Sequence, residues 1–214
     1  MENFKIKIEL LSESIFGNGE TLGSLVDTEI LKDDLGFPYL KGKTFKGKLR
    51  EEMFQIATLL DSDNKLGLKD DFENIMGIEN NFNFETLKFS DCKVSKGIQI
   101  AVEKAIKEGV LTEKDLTDSL TEIRSFTRLE NGVAKHGALR NARVIKKGLI
   151  LYCNLDSVNK LSKKELGLLS CALKGLRSLG MMESRGKGEV KCSLLKNEED
   201  ITNKSIIAFR KEIY

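Results

Sequence analysis

The chain has 214 residues, 40% hydrophobic and 32% charged, with 35 Lys and Arg against 33 Asp and Glu, a composition typical of a globular protein. No apolar run approaches the roughly 20 residues that span a bilayer, and the first residues lack the basic-then-apolar order of a secretory signal, so we expect a cytoplasmic protein. The four cysteines have no C-x-x-C spacing and His136 is the single histidine, which excludes a zinc site of clustered ligands.

The first quarter of the chain predicts a strand, a long loop and a helix. Apolar and polar residues alternate over 4–10, the pattern of a half-buried strand. A glycine-rich polar loop covers 12–24, and the only proline, Pro38, marks a turn. From Thr44 to Leu60 the apolar residues recur at helical spacing, which predicts the first helix.

The middle of the chain predicts short elements around insertions. Residues 61–84 are rich in Asp, Asn, Lys and Gly and are interpreted as a helical insertion, and 87–89 form a short strand. Apolar spacing predicts a helix over 98–106, and Thr112 is placed to cap another. Within the segment 122–150, two strand-like runs flank Asn-Gly, the pair that favours a hairpin turn.

The last third predicts a strand, a long helix and a core strand. The strand covers 149–155, and Ser162-x-x-Glu165 is a capping box for a helix that we expect to end near Gly180. Residues 190–194 alternate as a strand, and 206–209 predict an edge strand. The order predicts one α+β domain over the whole chain, a ferredoxin-like (RRM-like) βαββαβ fold with an inserted hairpin.

The charge is concentrated in three segments, although the net charge of the chain is only +2. Residues 41–50 carry +5, residues 122–150 carry +5 and residues 174–191 carry +3, so the remainder carries −11. Because affinity for a phosphate backbone depends on lysine and arginine, these segments predict a nucleic-acid track.

The first basic segment resembles a P-loop but lacks its last residue. The pattern G-x-x-x-x-G-K-[ST] fails at Leu49, where the magnesium-binding hydroxyl is missing. We favour a phosphate site at a helix N-terminus, and a solvated lysine-rich helix start is the alternative. The candidate RNA-binding residues in this segment are Lys41, Lys43, Thr44, Lys46, Lys48 and Arg50.

The other two basic segments combine arginines with an aromatic residue or with glycines. The hairpin candidates are Arg124, Phe126, Arg128, Arg140 and Arg143, which suit phosphate binding and base stacking unless Phe126 packs on the core. A glycine-rich loop over 175–188 lets a ligand approach the backbone closely. Its candidates are Arg177, Ser178, Arg185 and Lys187.

Three motifs resemble the RAMP superfamily, and in particular the repeated backbone subunits of type III CRISPR effectors. They are FGNGETLGSLVDTEILKDDLGFPYLKGKTFKGKLR over 16–50, FSD over 89–91 and SLGMMESRGKGEV over 178–190. Lys41 replaces the usual proline of the first motif, and Lys43-Thr44 replaces a Ser-Ser pair. The resemblance implies that the hairpin is a thumb that wedges into the guide–target duplex.

The resemblance also implies the function and the partners. Asp27 occupies the place of the aspartate that cuts target RNA in cleaving members, with Mg²⁺ as the expected cofactor. The expected partners are guide RNA, complementary target RNA, other effector subunits and further copies of the chain. Two alternatives remain open: a non-catalytic RNA-binding subunit in which Asp27 caps a turn, and a free-standing guide-processing nuclease that would depend on His136.

Overall fold

A computed structural model describes residues 4–19, 26–63, 65–78, 87–130, 133–156 and 160–213, without the side chains of 128–130 and 133–138. The strands are β1 Phe4–Leu10, β2 Lys88–Phe89, β3 Thr121–Glu130, β4 Val133–Ile145, β5 Ile150–Asp156, β6 Val190–Lys196 and β7 Glu199–Asp200. The helices are α1 Gly42–Leu60, α2 Leu68–Met76, α3 Lys96–Lys107, α4 Glu113–Leu120, α5 Lys163–Gly175 and α6 Thr202–Ile213, and Glu183–Arg185 forms a single 3-10 turn.

An antiparallel five-stranded sheet in the order β2-β5-β1-β6-β7 organises the mixed α/β fold. The alternation predicted for 4–10 is confirmed, because Phe4, Ile6, Ile8 and Leu10 are all buried in the described structure. Their side chains share one face of the pleated strand. The core lies between this face and the helices, with α1 contributing the fully buried Phe45, Leu49 and Met53.

Local signals set several boundaries as predicted. Both capping boxes form: Thr112 Oγ1 accepts from the N–H of Asp115 at 3.1 Å, and Ser162 Oγ accepts from that of Glu165 at 3.0 Å. The predicted hairpin is confirmed as the β3–β4 sheet, although the Asn-Gly pair at 131–132 lies outside the described residues. The short strand predicted over 87–89 is confirmed as β2.

The predicted insertion over 61–84 contains a helix that belongs to the core. Leu68, Phe72 and Ile75 of α2 are buried in the same cluster as the sheet and α1. The carboxylate of Asp61 starts this helix by accepting from the N–H groups of Leu66 and Leu68, both at 3.0 Å. Residues 68–76 are therefore structural, and their polar composition concealed that role.

Two predicted boundaries near the C-terminus are wrong. Helix α5 ends at Gly175, not near Gly180, because residues 177–179 leave the helix to pair with the chain that enters β6. Residues 206–209 lie in α6 and not in an edge strand. Phe209 is buried against Gly167 of α5, where a larger residue would collide with its ring, so close contact between the two helices decides the conformation.

Candidate nucleic-acid interface

The start of α1 is fixed by the aspartate of the FSD segment. Asp91 Oδ1 accepts a hydrogen bond of 2.8 Å from the N–H of Gly42, which neutralises one of the unpaired groups of a helix N-terminus. A side chain on Gly42 would collide with the carbonyl of Ser90, so the glycine permits this contact. Lys41, Lys43 and Thr44 remain exposed around the helix start.

Two cations of the same segment are held in structural contacts instead. Lys46 is half-buried with its ammonium 5.7 Å from the centre of the Phe89 ring, and burial lowers its pKa, as does the nearby charge of Arg50 to a smaller extent. Arg50 donates hydrogen bonds to the carbonyls of Met76 at 3.1 Å and Gly77 at 2.8 Å. It therefore caps the C-terminal end of α2.

A cavity of about 590 Å³ joins α1 to the glycine-rich loop and to the loop after β1. Lys48 reaches across it, with its ammonium 3.4 Å from the carboxylate of Glu183. Ser178 donates a hydrogen bond of 2.7 Å to the same carboxylate. The lining residues are Ile15, Phe16, Gly17, Leu31, Leu40, Lys43, Thr44, Gly47, Lys48, Glu51, Leu179, Gly180, Met181 and Glu183.

The glycine-rich loop lies directly on the loop after β1. Gly180 has a φ of 100°, and a Cβ there would lie 2.5 Å from the carbonyl oxygen of Ile15. The neighbouring N–H of Met181 donates to that carbonyl at 2.9 Å. A left-handed backbone with so little space requires glycine. Arg177 and Arg185 of this loop are exposed.

Glu13 links the hairpin to the glycine-rich loop. Its Oε1 accepts from Nε and a terminal nitrogen of Arg124 at 3.1 and 2.6 Å, and its Oε2 accepts from Lys187. The side chain is 17% exposed. The hydrogen bond from Arg124 is the main cause that lowers the pKa of Glu13 to about 2, with burial opposing it and Lys187 assisting. Sequence analysis missed this residue, because no motif marks it.

The register of the hairpin determines on which face of the β3–β4 sheet each arginine lies. Phe126 lies opposite Arg140, whereas Arg143 lies opposite Ile123. Directly opposed residues of an antiparallel pair point to the same side, so Phe126 and Arg140 share one face and Arg143 is on the other. Phe126 is partly buried against the core, and Arg140 is 65% exposed. The side chain of Arg128 lies outside the described residues.

Arg143 belongs to an internal ion-pair network. Its Nε lies 3.0 Å from the carboxylate of Glu29, and a terminal nitrogen donates to Thr121 Oγ1 at 3.2 Å. The carboxylate of Asp118 is 3.7 Å away, and only 17% of the Arg143 side chain is exposed. Arg143 therefore fastens the segment that contains Glu29 to the base of the hairpin.

Asp27 lies at the root of the hairpin and is held by the backbone of β4. Its Oδ2 accepts from the N–H of Asn141 at 2.7 Å, and its own N–H donates to the carbonyl of Asn141 at 2.8 Å. Oδ1 is 3.7 Å from the guanidinium of Arg140, and the side chain is 37% exposed. The carboxylate is thus fixed in position and still accessible. The described residues contain no group of three His, Cys, Asp or Glu side chains that could hold a metal ion.

The sequence profile of the RAMP superfamily matches residues 7–191, which include the cavity, the hairpin and Asp27. The chain belongs to the RAMP superfamily. A sequence comparison with curated proteins found no match.

Solved structures place this RAMP protein among similar folds. One is a chain of the type III-B Cmr-beta complex bound to cognate target RNA, with a TM-score of 0.61, 13% identity, and coverage of 95% of this chain and 98% of that one. Another is a chain of type III-B Cmr-beta in the apo state, with a TM-score of 0.64, 14% identity, and coverage of 92% and 98%. At 13–14% sequence identity, the structural similarity establishes the fold alone.

No helix in the described part of the chain is long and apolar enough to cross a membrane.

Within the RAMP protein, the predicted site residues divide into exposed and internally paired groups. Lys41, Lys43, Thr44, Arg177 and Arg185 are exposed; Lys46, Lys48, Arg50, Arg143, Ser178 and Lys187 bond to other protein groups. Arg124 and Arg140 are exposed and also pair with the carboxylates of Glu13 and Asp27. RNA binding by any of them stays a prediction.

Proposed function

We propose that this RAMP protein is a guide-RNA-binding backbone subunit of a type III CRISPR effector complex. The cavity between α1 and the glycine-rich loop carries the proposal, because exposed Lys43 and Thr44 stand at a concave surface that RNA could follow. Resemblance of the fold to chains of Cmr-beta, one of them solved with target RNA, supports this assignment. The proposed partners are guide RNA, target RNA, other subunits and further copies of the chain.

We also infer that the central unit is ferredoxin-like. The elements β1, α1, β2, β5, α5 and β6 follow the chain order of a βαββαβ domain. The antiparallel neighbours β2-β5-β1-β6 support this inference, with β7, the hairpin and the remaining helices as additions.

Fluorescence anisotropy with labelled single-stranded RNA tests the RNA-binding proposal. We expect affinity that falls as salt rises, since lysine and arginine release counterions when they bind phosphates. The absence of binding, or an affinity independent of salt, would overturn the proposal.

The proposal extends to cleavage of the guide-paired target at Asp27. The fixed, accessible carboxylate can accept the proton of a ribose 2′-hydroxyl, whose oxygen then attacks the adjacent phosphorus as the bond to the 5′-oxygen breaks. The products would be a 2′,3′-cyclic phosphate and a 5′-hydroxyl, which takes its proton from water. Arg140 offers a guanidinium beside this carboxylate for the phosphate. Asp27 is one accessible carboxylate, which fits Mg²⁺ held jointly with substrate phosphates, and the ion would supply charge neutralisation.

A non-catalytic structural subunit is the second candidate. The paired hydrogen bonds between Asp27 and Asn141 favour it, because they give the aspartate a role in fixing the hairpin without any reaction. A cleavage assay on guide-paired RNA with the assembled complex separates the candidates: cutting that requires Asp27 supports the enzyme, and an inactive wild-type assembly supports the structural subunit.

A further inference from the structure

Two cysteines lie opposite each other near the edge of the five-stranded sheet. Lys93 and Tyr152 exchange both backbone hydrogen bonds, at 3.0 and 2.7 Å, and so form a hydrogen-bonded antiparallel pair. The next pair along the two segments, Cys92 and Cys153, is therefore a non-hydrogen-bonded pair. The Cα atoms of such a pair lie about 4.5 Å apart, and a disulfide requires about 4.4–6.8 Å. The backbone thus places the two cysteines at a separation that a disulfide spans.

A one-residue bulge turns Cys92 toward Cys153. The pairs on either side of the bulge enclose residues 90–92 in one segment but only 153–154 in β5, so three residues oppose two. Bulges of this kind redirect side chains. Asp91 is directed to the start of α1, where it accepts from Gly42. The N–H and carbonyl of Cys92 bond to Leu40 at 2.8 and 3.1 Å, so its backbone points away from β5 while its side chain is buried in the core.

Burial keeps both thiols protected while the fold is closed. Cys92 and Cys153 are each 0% exposed, and the thiol of Cys153 donates to the carbonyl of Ser90 at 3.1 Å. The hydrogen bond to Cys153 raises the pKa of the Cys92 thiol, and burial raises it further. Because the thiolate is the reactive form, the pair reacts only when the segment opens. The adjoining strand β2 has two residues and lies at the sheet edge, which favours such local opening.

We propose that Cys92 and Cys153 are a modification site at which hydrogen peroxide forms a disulfide. A thiolate of the opened pair attacks one peroxide oxygen, the O–O bond breaks, and a sulfenic acid and hydroxide result. The second sulfur then attacks the sulfenic sulfur, and its oxygen leaves as water. The hydroxide takes up the proton released by the first thiol, so two thiols and one peroxide give one disulfide and two waters. This site is independent of the proposed RNA-binding function.

Peptide mapping by mass spectrometry tests the proposal on the full chain. The folded protein is treated with hydrogen peroxide, unfolded, labelled with N-ethylmaleimide to block free thiols, and digested. We expect a pair of peptides linked through Cys92 and Cys153. The link closes a loop over residues 93–152, so we expect the midpoint of thermal unfolding to rise by about 5–15 °C. Dithiothreitol applied to the unfolded protein before refolding should return the midpoint to its original value.

Cys153→Ala and Cys192→Ala are matched variants, because each removes a thiol buried in the same core. Cys192 is on β6, which β1 separates from β5. We expect Cys192→Ala to keep both the link and the rise in midpoint, and Cys153→Ala to lose both.

The map of the wild-type protein decides the proposal even where a variant fails to fold. Maleimide labels on both Cys92 and Cys153 after peroxide treatment would overturn it. A link from either residue to Cys171 or Cys192 in place of the expected one would also overturn it. A rise in midpoint that persists in Cys153→Ala would assign the stabilisation to another modification and refute the site.

Discussion

Replacing Glu13 with glutamine tests the junction between the hairpin and the glycine-rich loop. Arg124 and Lys187 hold the pKa of Glu13 near 2, down from 4.5. A pKa shift of that size corresponds to a contribution of at most about 3 kcal/mol to the free energy of unfolding. Because the carboxylate is partly in contact with solvent, screening reduces the expected contribution to about 1–2 kcal/mol.

The pH dependence of this contribution has a definite sign. The folded-state pKa is lower than the unfolded value, so the stabilisation is fully present above about pH 4.5 and is lost as the pH falls toward 2. We therefore expect Glu13→Gln to lower the midpoint of thermal unfolding by about 2–8 °C at pH 7. The difference from wild type should shrink in scans at pH 4 and pH 3.

Glu198→Gln is the control for an exposed ion pair. Glu198 pairs with Lys5, but its side chain is 68% exposed. We therefore expect Glu198→Gln to lower the free energy of unfolding by less than about 1 kcal/mol at any pH. A Glu13→Gln effect that is no larger than this control, or one that stays constant from pH 7 to pH 3, would refute the assigned role of the Glu13 carboxylate.

Three further substitutions address the hairpin and its root. Asp27→Ala removes the acceptor of the Asn141 N–H, so we expect a stability loss of about 1 kcal/mol with intact guide binding, and no target cleavage in time courses with Mg²⁺ or EDTA. Undiminished cutting would remove Asp27 from the mechanism. Shortening the tip within 129–138, which spares Arg140, is expected to preserve the unfolding midpoint and impair cleavage; a loss of several degrees would assign the tip to the core. Arg143→Met leaves the Glu29 carboxylate, 15% exposed, without its guanidinium, and we expect a loss of about 2–4 kcal/mol in denaturant unfolding. A weaker RNA affinity at unchanged stability would instead make Arg143 an RNA ligand.

Strong local patterns predicted the elements whose own residues repeat at a regular spacing or cap each other within one turn. The alternation over 4–10 and the helical spacing of Phe45, Leu49 and Met53 are reproduced, because each pattern exposes one face to the core. The capping boxes at Thr112 and Ser162 are reproduced because they involve only residues three positions apart.

Tertiary contacts decided the elements that sequence analysis missed. The apolar run at 206–209 is too short for its periodicity to separate a strand from a helix, and the contact of Phe209 with Gly167 resolves the ambiguity. In α2 the residues Leu68, Phe72 and Ile75 have helical spacing, but the charged residues between them suggested a surface insertion.

The same limit applies to the candidate site. A sequence shows that a residue is charged, but it does not show which group the charge faces. Lys46 and Arg50 appeared equivalent to Lys43, yet the fold directs them to a ring and to the end of α2. No sequence pattern marked Glu13, and only the fold shows that Arg124 and Lys187 both bind its carboxylate. The chemistry of each residue was predictable, and its availability was not.

This division of the cations predicts a quantitative salt dependence. Six of the predicted RNA ligands are exposed cations: Lys41, Lys43, Arg124, Arg140, Arg177 and Arg185. The carboxylate of Glu13 holds Arg124 through two hydrogen bonds, of 3.1 and 2.6 Å, which leaves five cations to bind phosphates. For single strands the logarithm of affinity falls with the logarithm of salt by about 0.7 per neutralised phosphate, so five contacts predict a slope near −3 to −4. If Arg124, Arg143 and Lys187 also bind phosphates, the contacts number eight and the slope steepens to about −6. A slope near −6 from anisotropy titrations would mean that RNA displaces the internal partners of Arg124, Arg143 and Lys187, and it would refute their structural assignment.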